Sequence, residues 1–257
     1  MTVKRPIAIV SAMYDELAQL LALMPDERKQ TRAGREFWLG HLHGHDVVLV
    51  LSGIGKVAAA TTATLLIEHF KARQIVFTGV AGGLGKQVNL GDLVVADRFL
   101  QHDMDVSPLF PKHEVPGYGV SIFQADSKLV GELSQACDAV LDDLNEVLTV
   151  EARAAFNLTN PLMHNGLIIS GDRFVSTTAE SQKLQQDLPL ALAVEMESAA
   201  FAQVCHDYKV PFTAVRTVSD RADDDATVDF NRFLTQVASH YSAAVIGKWL
   251  KSKEKIT

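Results

Sequence analysis

Two glutamates, Glu195 and Glu197, flank Met196 where the apolar residues 188–194 give way to a helix-forming stretch beginning at Ser198. Carboxylates that close to a buried strand end are costly to desolvate unless something binds them. They could complement the dipole of a solvated helix N-terminus, or hold a ligand where open α/β sheets place theirs. Glu16 presents the same choice, in the first turn of a helix (14–21) that follows the apolar run 7–10. Arg216 and Asp220 stand at the end of another apolar run, 211–220. The chemistry these residues point to uses several carboxylates and one arginine, with no cysteine or metal cage.

Two glycine segments lie between these acids. Ser52-Gly53-Ile54-Gly55-Lys56-Val57-Ala58 matches G-x-G-x-x-A between a strand and a helix. The acid that a dinucleotide site needs about 20 positions later is missing, and Arg73-Gln74-Ile75-Val76 occupies that zone. What the glycines support is a close backbone approach with free N–H groups for an anion, a water or a hydroxyl. Gly79-Val80-Ala81-Gly82-Gly83-Leu84-Gly85-Lys86 is expected as a glycine-rich turn leaving a strand over 74–78. It is no P-loop, because Gln87 follows Lys86 where Ser or Thr is required. His41, His43 and His45 alternate as metal ligands on one strand face would. With no cysteine or acid cluster beside them, exposed hairpin histidines are the expectation, and no metal or other cofactor is assigned.

The elements that position these residues alternate strand and helix. Strands are expected at 7–10, 36–40, 46–51, 74–78, 92–97, 167–170, 191–194 and 211–220. Helices are expected at 14–21, 59–70, 126–141, 180–188, 198–208 and 230–250. The charged stretch 26–35 closes the first unit, 107–121 is an irregular Pro/Gly-rich loop, and 142–165 shows no clear period. An acidic loop, Asp223-Asp224-Asp225, follows the last strand. Strand ends carrying Glu16, Gly53–Gly55, Gly79–Gly83, Asp103, Asp105, Asp172–Phe174, Glu195–Glu197, Arg216 and Asp220 describe one shared pocket. The pattern predicts an α/β fold: a single domain over 1–257, three-layer α/β/α, with a mixed, mostly parallel central sheet.

Composition narrows the partners. A net charge of −7 with no basic stripe excludes nucleic acid as a main partner. No apolar stretch reaches 18 residues, and the N-terminus has no signal-peptide pattern, so no membrane partner is expected. Cys137 and Cys205 form no C-x-x-C, which points to a reducing cytoplasm.

Seven motifs in consistent order resemble the 5′-methylthioadenosine/S-adenosylhomocysteine nucleosidases of the nucleoside phosphorylase superfamily. They are Ala12-Met13-x-x-Glu16, Ser52-Gly53-Ile54-Gly55-Lys56-Val57, Thr78-Gly79-x-Ala81-Gly82-Gly83, His102-Asp103-x-Asp105-Val106, Ser170-Gly171-Asp172-x-Phe174, Val194-Glu195-Met196-Glu197 and Arg216-x-x-Ser219-Asp220. The resemblance implies hydrolysis of a purine nucleoside, with water as co-substrate and no cofactor. Asp220 would be the general acid protonating adenine N7, oriented by Ser219, and Glu16 would activate the water, with Arg216 holding both. Glu197 would accept the ribose hydroxyls, with Glu195 beside it and Met196 against the sugar. Phe174 would stack on adenine, the Val175 backbone would read its edge, and Phe230 would close the purine side. Ile54, Val80, Ala81 and Gly82 would complete the pocket wall. Val106, Leu109 and Pro116, in the loop 106–118, would reach a partner subunit's alkylthio pocket, implying a homodimer.

Two departures stand out. Val80 occupies a place where the family commonly has Ser, and 142–165 is longer than usual. Two other functions share the pocket. A phosphate-dependent purine nucleoside phosphorylase would need a cationic cradle where Glu16 would repel phosphate. A non-catalytic purine-nucleoside-binding protein would have no need of Glu16, Glu197 and Asp220 together.

Overall fold

The computed structural model describes residues 5–222 and 230–253, and the acidic triplet Asp223-Asp224-Asp225 lies outside them. The strands are β1 (Ile7–Ser11), β2 (Arg28–Arg32), β3 (Arg35–Leu42), β4 (His45–Leu51), β5 (Gln74–Gly83), β6 (Leu93–Gln101), β7 (Ile122–Gln124), β8 (Met163–Ser170), β9 (Ala191–Glu195) and β10 (Phe212–Asp220). The helices are α1 (Tyr14–Ala22), α2 (Lys56–Glu68), α3 (Ser127–Asp142), α4 (Leu144–Val147), α5 (Val150–Ala155), α6 (Thr178–Asp187), α7 (Ser198–Tyr208), α8 (Phe230–Phe233) and α9 (Ser239–Ser252), with a π-helical turn (Leu234–Ala238) joining the last two.

All ten strands form one mixed sheet, in the order β10-β6-β8-β9-β5-β1-β4-β3-β2, with β7 paired to β6. Parallel ladders run through β4, β1, β5 and β10 and again through β6, β8 and β9. Apolar runs such as Ile7-Ala8-Ile9-Val10 belong in such ladders, because both faces are covered by helices. One face carries α1, α3 and α9, the other α2 and α7. The expected three layers are present. The sheet also closes on itself: β5 pairs with both β10 and β9, so β5, β10, β6, β8 and β9 form a ring.

Several local expectations are corrected. Residues 26–35 contain an exposed edge strand, β2, laid antiparallel on β3. Its charged side chains hide the strand from a hydrophobic pattern but protect an edge from aggregation. The segment 79–83 is no turn: β5 runs unbroken to Gly83, where it pairs with β9. The antiparallel pair at 36–51 exists, but its turn is only His43-Gly44, both at positive φ, as a twisted two-residue hairpin requires. That turn puts His41 and His45 on opposing strands. His41 sits between Asp26 and Asp46, whereas His45 is buried and donates through Nε2 to the Leu250 carbonyl, 3.0 Å away. His45 is therefore a tether for α9, not an exposed hairpin residue. The unread stretch 142–165 holds two short helices, and Thr149 caps α5 by accepting from Ala152 N–H. The closing helix is interrupted by the π turn, which lies over β5 and β10.

Candidate active site

The site forms at the C-terminal ends of β1, β5, β8, β9 and β10. A cavity of about 170 Å³ lies there, lined by the acids Glu16, Glu195, Glu197 and Asp220, with Arg216 and Ser219 beside them. Ile54, Val80, Ala81, Gly82, Phe174, Val175, Met196 and Phe230 complete most of the wall. These fourteen sequence-derived positions, drawn from all along the chain, therefore meet at one cavity.

Glu16 is only 1% exposed, at the third position of α1. Its Oε2 accepts the N–H groups of Ala12 and Met13, both at 2.9 Å, and its Oε1 accepts that of Val80 at 3.0 Å. Burial raises its pKa, against the opposing pull of the Arg216 charge and these three N–H groups. The carboxylate is held from three sides yet remains a stronger base than an exposed glutamate. Val80 contributes here through its backbone, so the side-chain difference at this position leaves the bond to Glu16 intact.

Glu195, Glu197 and Arg216 form the second group. Arg216 is 1% exposed, stacks over the Phe77 ring at 4.1 Å, and donates through Nη2 to Glu195 Oε2 and to Ser198 Oγ, the latter at 2.9 Å. Glu195 also accepts from the hydroxyls of Ser170 and Ser198 and from the N–H groups of Glu197 and Ser198. So saturated a carboxylate anchors the guanidinium. Arg216 was expected to hold Glu16. Its hydrogen bonds go instead to Glu195 and Ser198, and it acts on Glu16 only through its charge. Glu197 stands at the residue just before α7 without capping it: its carboxylate accepts from Gly55 N–H at 2.9 Å and lies 3.8 Å from Arg216 Nη2. Burial, then the neighbouring Glu195 charge, push its pKa up to about 8.

Asp220, also on the cavity wall, accepts from Ser219 Oγ through Oδ2 and from Ala222 N–H through Oδ1, each at 2.7 Å. Phe174, 47% exposed, stands at the mouth with Ile54, and Val175 is buried beneath. The cavity wall thus combines the aromatic side chains of Phe174 and Phe230 with the carboxyl groups of Glu16, Glu195, Glu197 and Asp220.

Val106, Leu109 and Pro116, expected at a partner subunit's pocket, lie outside this chain's own cavity, on the 102–121 segment, where Leu109 is 79% exposed. Asp103 and Asp172 do not line it either, and Asp105 turns back to accept from Ser107. Four lining residues stood within the quoted motifs or strand ends but were assigned no role: Ala12, Met13, Arg173 and Val194. Met13-x-x-Glu16 has the spacing at which a third-position glutamate reaches back to the N-cap N–H, a signal that could have pointed to Met13. Arg173 lies in the strand end 172–174 that the pattern already brings to the pocket. It stands at the rim, paired with Glu180. Among the described residues no group of three or more His, Cys, Asp or Glu side chains is placed to hold a metal ion.

Comparison with known proteins gives a consistent result. Residues 6–251 match the model of the phosphorylase superfamily. A 5′-methylthioadenosine/S-adenosylhomocysteine nucleosidase of Shewanella loihica is 37% identical over 245 residues, 95% of this chain and 98% of that protein. The nucleosidase of that name from Neisseria meningitidis, solved with methylthio-immucillin-A, superposes with a TM-score of 0.83 at 33% identity, over 98% of this chain and all of that one. The futalosine hydrolase of Helicobacter pylori superposes with a TM-score of 0.81 at 29% identity, over 95% and 97% of the two chains.

Proposed function

This chain belongs to the phosphorylase superfamily and, within it, to the 5′-methylthioadenosine/S-adenosylhomocysteine nucleosidases, and from that membership we propose how it cleaves its substrate. It is an N-glycosyl hydrolase acting on 5′-methylthioadenosine, S-adenosylhomocysteine and related 5′-substituted adenosines, and it releases adenine. The observation that carries the mechanism is the single cavity flanked by Glu16, Glu197 and Asp220. Adenine occupies the aromatic side, against Phe174 and Phe230, where Val175 supplies backbone groups to its edge. Asp220, oriented by the Ser219 hydroxyl, gives its proton to N7, so the base departs as neutral adenine. Glu16 takes a proton from the attacking water, and the water oxygen bonds to C1 of the ribose. Its burial-raised pKa makes it a better base for that step.

Glu197 holds the ribose hydroxyls, with Met196 packed against the sugar. Three buried carboxyl groups, Glu16, Glu195 and Glu197, share one buried guanidinium, and burial first, then the Glu195 charge, push the pKa of Glu197 up to about 8. Positive charge developing on the ribose supplies the missing counterion. The site therefore favours the oxocarbenium-like state over the neutral substrate, the selectivity that lowers a barrier.

A phosphorolytic reaction is disfavoured by the same groups. Arg216, on the cavity wall, is bound to Glu195 and Ser198, and Glu16 faces the place a phosphate would take. Running the reaction in oxygen-18 water tests the nucleophile: label on ribose C1 is expected, and unlabelled ribose phosphate would contradict it. The working unit is a homodimer in which the loop 106–118 meets the partner's site. Support comes from the exposed apolar side chains Leu109 and Phe110 on that loop, and from Ile54 and Phe174, exposed apolar residues that line the cavity. The two buried free thiols, Cys137 and Cys205, suit a reducing cytoplasmic setting, and no helix among the described residues is long and apolar enough to cross a membrane.

A further inference from the structure

Just outside the cavity, three charged residues tie together two parts of its wall. Gly55 donates its N–H to Glu197 at the start of α2, so the position of that turn sets the ribose side. The next residue, Lys56, donates its backbone N–H to Asp172 Oδ1 at 2.7 Å and its side-chain Nζ to Asp103 Oδ1 at 2.6 Å. Asp103 Oδ2 accepts the N–H of Asp172 at 2.9 Å. Asp172 begins the segment that carries Phe174 and Val175, the purine side. One carboxylate therefore grips the ribose turn through Lys56 and the purine segment through Asp172. The link is partly sheltered, with the Lys56 side chain 17% and that of Asp103 32% exposed. Behind it the His102 ring presses on Gly171, leaving no room for a Cβ there, and His102 N–H donates to Ser170 O at 3.0 Å.

We infer that Asp103 is a positioning residue for the nucleosidase reaction, bridging Lys56 and the Asp172 backbone so that the ribose-holding turn and the purine-stacking segment keep a fixed spacing. The inference rests on the proposed binding of a nucleoside across those two sides. A nucleoside spans them by one glycosidic bond, so loosening their spacing weakens binding of the whole substrate. Glu16 and Asp220 lie on α1 and β10, outside the link, and their proton transfers are unaffected by it.

The test compares Asp103→Ala, Asp103→Asn, Lys56→Met and the Asp103→Ala/Lys56→Met double variant with wild type. Steady-state kinetics with 5′-methylthioadenosine are read beside equilibrium titration of the same nucleoside. Asp103→Ala should raise KM about tenfold or more, with kcat changed less and the pH limbs of kcat in place. Asp103→Asn should fall between Asp103→Ala and wild type. Lys56→Met should raise KM in the same sense, and the double variant should be no worse than Asp103→Ala alone. Thermal midpoints within about 4 °C of wild type would separate this from a folding defect. Unchanged KM in Asp103→Ala, a loss confined to kcat, or additive effects in the double variant would overturn the inference. A wild-type protein that bound the nucleoside without releasing adenine would fail the nucleosidase reading alone, and the binding ratio would still judge Asp103. A wild type that neither bound nor cleaved it would overturn both.

Discussion

At the scale of single residues, the two proton carriers are separable from the groups that merely keep them in place. Glu16→Gln and Asp220→Asn keep the size of the side chain but remove the proton-carrying carboxyl and replace one accepting oxygen with an NH2 donor. Each should fold and lose about 100-fold or more in turnover, read as initial rates of adenine release beside an unchanged circular dichroism spectrum. Glu195 should behave differently, because it anchors the buried Arg216 guanidinium. Glu195→Ala leaves that charge without its strongest partner and should cost about 3–5 kcal/mol in urea unfolding, the usual penalty for breaking a buried pair from one side. Glu197 makes a pH prediction. Its value of about 8 in the folded chain lies above the ordinary 4.5, so the folded state holds the proton more tightly. The stability this provides is complete below the ordinary value and disappears as pH rises through about 8. The protein without nucleoside should therefore lose thermal stability as pH rises from about 4.5 to about 8 and level off above that, and Glu197→Gln should flatten that loss. An identical pH slope in both would contradict the assignment.

At the scale of elements, two glycines in ordinary secondary structure should respond oppositely to alanine. In β5, a Cβ at Gly79 would stand 2.5 Å from Glu16 Oε1 and 2.6 Å from Arg216 Nη1. Gly79→Ala should cost about 1–3 kcal/mol and depress activity. Gly131, inside α3, has nothing within 4 Å of that position. Gly131→Ala should gain up to about 1 kcal/mol with full activity. Denaturant titration of the two variants checks both signs. The contrast also explains what the sequence could reveal. Buried parallel strands such as β1, β9 and β10, and amphipathic α3, announce themselves through apolar runs and period. The exposed charged strand β2 has no apolar face, and the short β7 is too brief to show one. The glycines of β5 look like a turn because a pattern cannot tell flexibility from the need for close approach to Glu16 and Arg216. The acids of the site were legible because they sit at strand ends, and the resemblance to a known family set them in order. The link through Lys56, Asp103 and Asp172 was not, since hydrogen bonds between a side chain and a distant backbone leave no trace in spacing.

At the scale of the whole molecule, the closed ring of strands gathers the site residues at one end, while exposed apolar residues surround its mouth. Light scattering coupled to size exclusion should find a dimer, and Leu109→Glu, which puts a charge on a residue 79% exposed in the single chain, should shift it toward monomer and weaken nucleoside binding. A stable monomer with full activity would contradict the loop's part in a partner's site. The central claim is that water, readied by Glu16, replaces adenine protonated through Asp220. The most direct measurement is the rate of adenine release from 5′-methylthioadenosine in phosphate-free buffer. Full turnover that added phosphate does not accelerate is the expected result, whereas release that depends on phosphate would contradict the account.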